Sequence, residues 1–273
     1  MLRFVKVGYE IVELGHPLGP GALHLPAHPG FSYELTLAHR REEDEGQHPG
    51  SSGATDRICC GLHVGTHIDS LSHIGMEGRL CDGTEVFAAG VQDRESGIAM
   101  RSGPGLRPIV APGVLLDFPA YLGCEVLEDG HEITVAELES CAAAAGVEIE
   151  PGSVVLLRTG FDLLWERDPE RFLGAPVFPG PGLEAARFLH ERGIVATGSD
   201  TASYETYPVG ATLSVHVELL VRGGIYIMES LRLQELAALG AASFQFLALP
   251  LNLPKATGSP LNPVALLAPG APA

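Results

Sequence analysis

Two hydrophobic patterns alternate along the chain and predict its secondary structure. Short runs such as Val154-Val155-Leu156-Leu157 are apolar at every position, which is typical of strands buried on both faces of a sheet. Between such runs lie segments with helix boundary signals: Thr134 with Glu137 forms a capping box, and Gly146 ends that helix. The alternation predicts an α/β layered domain.

Hydrophobic patterns and boundary residues predict strands, helices and loops over most of the chain. We predict strands at 4–14, 31–38, 56–63, 114–117, 153–159, 194–197, 225–229 and, last, 244–249. Predicted helices cover Thr134–Ala145, the stretch bracketed by Pro181 and Gly193 with proline in the first turn, 213–222 and 232–239. Residues 15–30 are predicted to form a long Gly/Pro-rich loop and residues 40–53 a polar surface loop, and the strand at 56–63 is expected to be buried. Because the N-terminal part is rich in strands and loops, we expect a mixed sheet with flanking helices.

Composition limits the class of protein. The 273 residues are 45% hydrophobic and 19% charged, and we expect one domain over residues 1–273. The net charge of −17 disfavours nucleic acid and anionic membrane surfaces as partners. The chain has no apolar signal segment and no apolar stretch of transmembrane length, so we expect a cytoplasmic protein. Five cysteines without a Cys-x-x-Cys pair indicate reduced, mostly buried thiols.

One short segment concentrates the chemistry. The eleven residues from His63 to His73 read His-Val-Gly-Thr-His-Ile-Asp-Ser-Leu-Ser-His. Imidazole and carboxylate groups are ligands of zinc and manganese, and the Gly-Thr pair indicates a bent segment that could gather them. Three ligands, His63, His67 and Asp69, leave an open position for water, and His73 is suited to proton transfer. The segment therefore predicts a catalytic metal site.

More distant residues are candidates for completing this site. His216, in a predicted helix, and Glu229, at the end of an apolar strand, are the preferred ligands, although His216 could instead be a core histidine with satisfied hydrogen bonds. Glu218 is a competing carboxylate, but residues i and i+2 of a helix do not share a face. Weaker candidates, each also explained by packing, solvation or ion pairing, are His16, His24, His28, Phe31, Tyr33 and Arg57.

The pattern His63-x-Gly65-Thr66-His67-x-Asp69-x-x-x-His73 resembles the signature of the cyclase-like metal-dependent hydrolases, which include kynurenine formamidases and isatin hydrolases. The segments Asp200–Ser203, His216–Glu229 and Pro250–Pro260 extend the resemblance to roughly residues 9–265. It implies a swivelling β/β/α-type fold and hydrolysis of a C–N amide bond, such as that of an aryl formamide or lactam.

The resemblance also implies roles for individual residues. His63, His67 and Asp69 would hold one zinc or manganese ion, and Asp69 would bridge to a second held by His216 and Glu229. His73 would be the catalytic acid/base, and the chain would form dimers or tetramers.

Two features depart from the formamidase pattern. Leu71 stands where formamidases have proline, and the spacing from His216 to Glu229 is one residue longer. Two alternatives therefore stay open: a metal-dependent cyclase or lyase in which His73 abstracts a proton, and a metal- or ligand-binding relative without catalysis.

Overall fold

A nine-stranded mixed sheet organises the chain in the computed structural model, which describes residues 8–39, 51–101, 106–206 and 213–268. The strands are β1 (Glu10–Glu13), β2 (Ser32–Leu37), β3 (Thr55–Cys59), β4 (His67–Asp69), β5 (Gln92–Asp93), β6 (Gly97–Ile98), β7 (Ile109–Asp117), β8 (Glu132–Ile133), β9 (Val154–Arg158), β10 (Gly180–Pro181), β11 (Ala196–Ser199), β12 (Tyr226–Glu229), β13 (Ser243–Ala248), β14 (Gly258–Pro260) and β15 (Val264–Leu267). The order in the large sheet is β1-β15-β13-β7-β9-β11-β12-β4-β14, and β7, β9, β11 and β12 are parallel neighbours. The predicted α/β class with a mixed sheet and flanking helices is confirmed.

Helices cover both faces of this sheet. They are α1 (Phe118–Leu122), α2 (Val135–Ala145), α3 (Leu164–Arg167), α4 (Pro169–Gly174), α5 (Leu183–Glu191), α6 (Ser214–His216) and α7 (Gln234–Ala238), with a 3₁₀ turn at Phe161–Leu163 and a π-helix at Val217–Gly223. In β9, Val155 and Leu157 pack toward α2 and α5, while Val154 and Leu156 join a second core with Leu236 of α7. A strand between two apolar layers needs apolar residues at every position, which explains the uninterrupted runs. Among the described residues, no helix has the length and apolar character needed to cross a bilayer.

The predicted helix boundaries are mostly confirmed. Thr134 and Glu137 form both hydrogen bonds of the capping box at the start of α2, and Gly146 ends this helix in the left-handed conformation. Pro181 corrects the prediction for α5: it lies in β10, outside the first helical turn, and Gly182 is the N-cap. The predicted helix at 213–222 begins as α6 and continues as the π-helix.

The N- and C-terminal parts correct other predictions. The strand expected at 56–63 is β3, which is exposed at every position because, among the described residues, it pairs only with β2 in a separate two-stranded ribbon. The strand predicted as the last one is β13, and β14 and β15 follow it. Most of the predicted polar loop, residues 40–50, lies outside the described residues. All five cysteines are free, as expected, but only Cys141 is buried.

Strand β4 carries the histidine-rich segment into the sheet between β12 and β14. In its register with β12, His67 lies opposite Glu229. Side chains alternate along a strand, so His67 and Asp69 share one face while Ile68 enters the core on the other. The sheet thus brings two segments that are far apart in sequence to the same place.

Candidate metal centre

A glycine bend folds the histidine-rich segment onto itself. Gly65 adopts a left-handed backbone conformation with φ of 61°, which glycine reaches without the strain that a side chain would bring. Its amide donates to the carbonyl of Leu23 at 2.9 Å, which ties the bend to the preceding loop. The bend places His63 beside the residues of β4 and confirms the bent segment expected from the sequence.

Five side chains meet beyond this bend, and each is at most 7% exposed. Asp69 lies at their centre: its Oδ1 is 2.8 Å from His63 Nδ1 and 3.7 Å from His67 Nε2, and its Oδ2 is 3.7 Å from His216 Nε2. Glu229 completes the group, with Oε2 3.4 Å from His67 Nε2 and Oε1 3.2 Å from His216 Nε2. The structure therefore brings together all five residues that the sequence analysis named as metal ligands.

These side chains form two triads that could each hold an ion. The first triad is His63, His67 and Asp69, and the second triad is Asp69, His216 and Glu229. Within each triad, the candidate ligand atoms lie within 4.8 Å of one another. Asp69 belongs to both, so its two oxygens can serve two ions or one.

The hydrogen bonding of Asp69 tests whether a cation fits. Both of its carboxylate oxygens are buried, and neither accepts a well-aligned hydrogen bond from the described residues, although His63 Nδ1 lies 2.8 Å from Oδ1. A buried carboxylate without donors is costly unless a cation compensates it. Nitrogen and oxygen donors in this combination are those of zinc and manganese sites, so the residues fit a divalent metal ion.

Each histidine of the two triads is held through its other ring nitrogen. His67 Nδ1–H donates to the Gly65 carbonyl at 2.8 Å, and His63 Nε2 contacts the Thr257 hydroxyl at 3.1 Å. His216 Nδ1–H donates to the Glu205 carboxylate at 2.5 Å. Such outer contacts fix the ring orientation of metal-binding histidines. Sequence reasoning missed Glu205, since no spacing rule connects it with His216.

The pKa values of His216 and Glu229 are shifted because buried carboxylates and imidazoles lie side by side. Burial alone would lower the pKa of His216, but hydrogen bonds to Glu205 and Glu229 outweigh it and raise this pKa to about 10. Burial would raise the pKa of Glu229, yet His216 and His67 hold it well below its usual range. The carboxylates are therefore ionised and take up positive charge from protonated imidazoles, a role that a metal ion can assume.

His73 lies beside the first triad and belongs to neither triad. Its ring centroid is 4.2 Å from that of His63, and its backbone amide closes a turn onto the Ser70 carbonyl. Burial lowers the pKa of His73 to about 4, so the imidazole is neutral at pH 7. A neutral imidazole at this position can accept a proton.

The loop over the cluster leaves a cavity of about 10 Å³, roughly the space of one water molecule. His24 and His28 line this cavity, and the ring of His28 is 5.0 Å from that of His63. His16 lies elsewhere: it stacks on Trp165 with 4.0 Å between ring centroids. Two of the three loop histidines thus face the site.

The remaining candidates lie away from the cluster. Glu218 accepts from Arg222 at 2.8 Å and contacts His190 Nδ1 at 2.8 Å, so it does not replace His216 or Glu229. Arg57 pairs with Glu34 on the exposed ribbon. Tyr33, on the same ribbon, donates to Asp56, and Phe31 is half-buried in the segment just before it. Leu71 packs as a partly buried residue against the core beneath α2 and α5.

The chain is similar to known proteins along most of its length. The model of the Cyclase family matches residues 12–206. This chain belongs to the Cyclase family. It is 27% identical over 255 residues to a kynurenine formamidase of Bacillus cereus, covering 93% of this chain and 96% of that protein. It is also 27% identical over 266 residues to an isatin hydrolase of Roseibium aggregatum, covering 94% and 92%. A crystal structure of a novel cyclase shares 27% identity with a TM-score of 0.80, covering 95% of this chain and 89% of that one.

The segment between His216 and Glu229 contains an uncommon backbone conformation. The two residues are thirteen positions apart, and the π-helix at 217–223 lies between them. A π-helical turn takes one residue more than an α-helical turn without moving the ends of the helix far. The side chains at the two ends of this segment meet, with 3.2 Å between His216 Nε2 and Glu229 Oε1.

Proposed function

We propose that this protein is a metal-dependent hydrolase that cleaves the C–N bond of a small amide. The observation that carries the proposal is the buried Asp69 carboxylate, which belongs to both triads and accepts no well-aligned hydrogen bond from the described residues. Similarity to a kynurenine formamidase and an isatin hydrolase supports an aryl formamide, a lactam or a similar cyclic amide as substrate.

The two triads would hold the metal. His63, His67 and Asp69 bind one divalent ion, and Asp69 with His216 and Glu229 binds a second; zinc or manganese suits this nitrogen and oxygen set. When bound, such an ion lowers the pKa of a water molecule and polarises a carbonyl oxygen. The contacts of His67 with Gly65 and of His63 with Thr257 keep the ligand rings in place.

His73 would move the proton. Its neutral imidazole takes a proton from the attacking water and delivers it to the amide nitrogen as the C–N bond breaks. Water adds to the carbonyl carbon, so the products are a carboxylic acid and an amine. The contact of His73 with His63 of the first triad supports proton transfer on that side of the cluster.

The walls of the cavity favour an apolar substrate body. Leu23, Leu25 and Leu173 line it together with Ala202. An aromatic ring does not fit in about 10 Å³, so residues 23–28 must shift to admit the substrate.

The proposal includes the domain organisation, the cellular location and the assembly of the protein. The entire chain, 1–273, forms one domain, works in the cytoplasm and assembles as a homo-oligomer of two or four chains. The exposed apolar residues Tyr33, Leu35 and Leu37 of β2 support self-association, because exposed apolar patches often mark interfaces.

Metal removal with a strong chelator, followed by addition of zinc or manganese, tests the proposal on N-formyl aryl amides and lactams. We expect activity to disappear and return, and oxygen from ¹⁸O-labelled water to enter the acid product. Full activity in metal-free protein would contradict the proposal, and product formed without ¹⁸O would favour the cyclase or lyase alternative.

Replacing His73 separates catalysis from metal binding. His73→Ala should retain the metal content of the wild type and lose about 10²–10⁴-fold in kcat, the usual contribution of a general acid/base. The exposed His39→Ala serves as control and should match the wild type. Unchanged kcat in His73→Ala would remove this residue from the mechanism.

A further inference from the structure

The outer contacts of the three ligand histidines are not equivalent. His67 and His63 are held by neutral groups, the Gly65 carbonyl and the Thr257 hydroxyl. His216 is held by a carboxylate, Glu205, which is 1% exposed and belongs to neither triad. Burying a negative charge costs free energy, and the His216 ring is the one of the three that contacts such a charge.

We infer that Glu205 is a positioning residue that directs His216 Nε2 toward Asp69 and Glu229 and thereby sets the cation affinity of the second triad. The inference rests on the proposed function, because it presumes that this triad binds a metal ion. It adds a residue outside both triads to the site.

The hydrogen bonds of Glu205 fix its position. Its Oε2 accepts from the backbone amide of Val215 at 3.0 Å, and its Oε1 accepts from the amide of His216 at 3.3 Å as well as from the ring at 2.5 Å. These amides belong to the first turn of the helical segment, where donors lack partners within the helix. The carboxylate is thus anchored to the same backbone that carries His216, so it cannot swing away from the ring.

This anchoring decides which nitrogen of His216 faces the cluster. A carboxylate only accepts hydrogen bonds, so the Nδ1 of His216 must carry the proton. Nε2 is then the nitrogen that faces Asp69 and Glu229, and it would offer its lone pair to a metal ion held there. The charge on Glu205 also makes the ring a stronger donor ligand, as carboxylate partners do for metal-bound histidines.

A matched control lies on the same helical segment. Glu218 is also buried, at 4% exposed, and also holds a histidine, with its Oε1 2.8 Å from His190 Nδ1. It additionally accepts from Arg222 and takes no part in either triad. Glu218→Gln therefore removes a buried carboxylate from a histidine without touching the cluster.

The test compares Glu205→Gln with Glu218→Gln in the full chain. Zinc binding is measured by competition with a chromophoric chelator, and the ring N–H protons of the zinc-loaded proteins are observed by NMR. We expect Glu205→Gln to weaken one of two zinc sites by about 10–100-fold and to move the Nδ1–H resonance of His216 upfield. Glu218→Gln should move the corresponding resonance of His190 and leave both zinc affinities unchanged.

The outcomes separate this inference from the proposed function. Zinc affinities and a His216 resonance that stay the same in Glu205→Gln would overturn the role of Glu205 and leave the hydrolase proposal intact. A wild type that binds neither zinc nor manganese would overturn the hydrolase proposal itself. If Glu205→Gln does not fold, Glu205→Asp is measured instead: the shorter carboxylate cannot reach both the ring and the helix amides, and an unweakened second site would overturn the inference.

Discussion

The two triads of the metal centre are built in different ways, although they share Asp69. The first triad comes from one bend and one strand, residues 63–69, and its geometry follows from the backbone at Gly65. The second triad needs a helix and a strand far along the chain, brought in by sheet register and helix packing. One half of the site therefore depends on local conformation, and the other half on the tertiary fold.

The outer contacts follow the same division. The first triad is supported by groups of the bend and of the neighbouring segment before β14, all neutral. The second is supported by the buried charge of Glu205 and by the backbone amide of Tyr204, which donates to Glu229 Oε1 at 2.8 Å. The elements of the second triad are far apart in sequence, so the local backbone does not fix their side chains relative to one another. The charged contact from Glu205 orients His216 instead.

The largest effect is expected where the two triads meet. Asp69→Ala removes a ligand from both, so the purified protein should hold close to no metal. Because a catalytic metal contributes several kcal/mol to the transition state, we expect a loss of about 10³-fold or more in kcat/KM. Elemental analysis and the amide assay measure the two effects.

Asp117→Ala is a suitable control for that variant, because Asp117 pairs with Arg158 and belongs to neither triad. It should retain the metal content of the wild type. An Asp69→Ala protein that keeps its metal would show that the triads are not joined through this residue.

Substitutions in a single triad should have smaller effects and should distinguish the two triads. His63→Ala removes a ligand of the first triad only, and His216→Ala one of the second only. Each variant should lose one equivalent of metal, and His63→Ala should lose more activity, about 10²-fold or more, because His73 lies against the ring of His63. Metal stoichiometry and kcat of the two variants are compared side by side.

Equal activity losses in these two variants would indicate that both triads contribute equally to catalysis. Loss of all metal in either one would indicate that the five residues hold a single ion. The first result would remove the functional difference between the triads, and the second would remove the division into two sites.

The same difference explains what the sequence could predict. The bend at Gly65, the face shared by His67 and Asp69, and the capping box of α2 all follow from local rules and can be predicted from the sequence. The role of Glu205 cannot be predicted in this way, because its contact with His216 depends on the tertiary fold. The prediction that the strand at 56–63 is buried is wrong, because the pattern of residues does not reveal which strands pair with each other.

The smallest effect should come from the bend itself. Gly65→Ala places a side chain at φ of 61°, where the nearest atoms outside the bend are 3.8 Å away, so conformational strain acts without a clash. We expect unfolding to become easier by about 1 kcal/mol, which lowers Tm by about 2 °C in a protein of this size. Part of the strain should be relieved by a shift of the bend, and zinc affinity of the first triad should fall about threefold while the second triad is unaffected.

Gly146→Ala provides the comparison, because Gly146 has φ of 66° with no atom within 4 Å and lies at the end of α2. It should lower Tm equally and leave zinc binding unchanged. If Gly65→Ala also left zinc binding unchanged, the first triad would not depend on its bend, and the distinction between a locally built and a distantly built triad would fail.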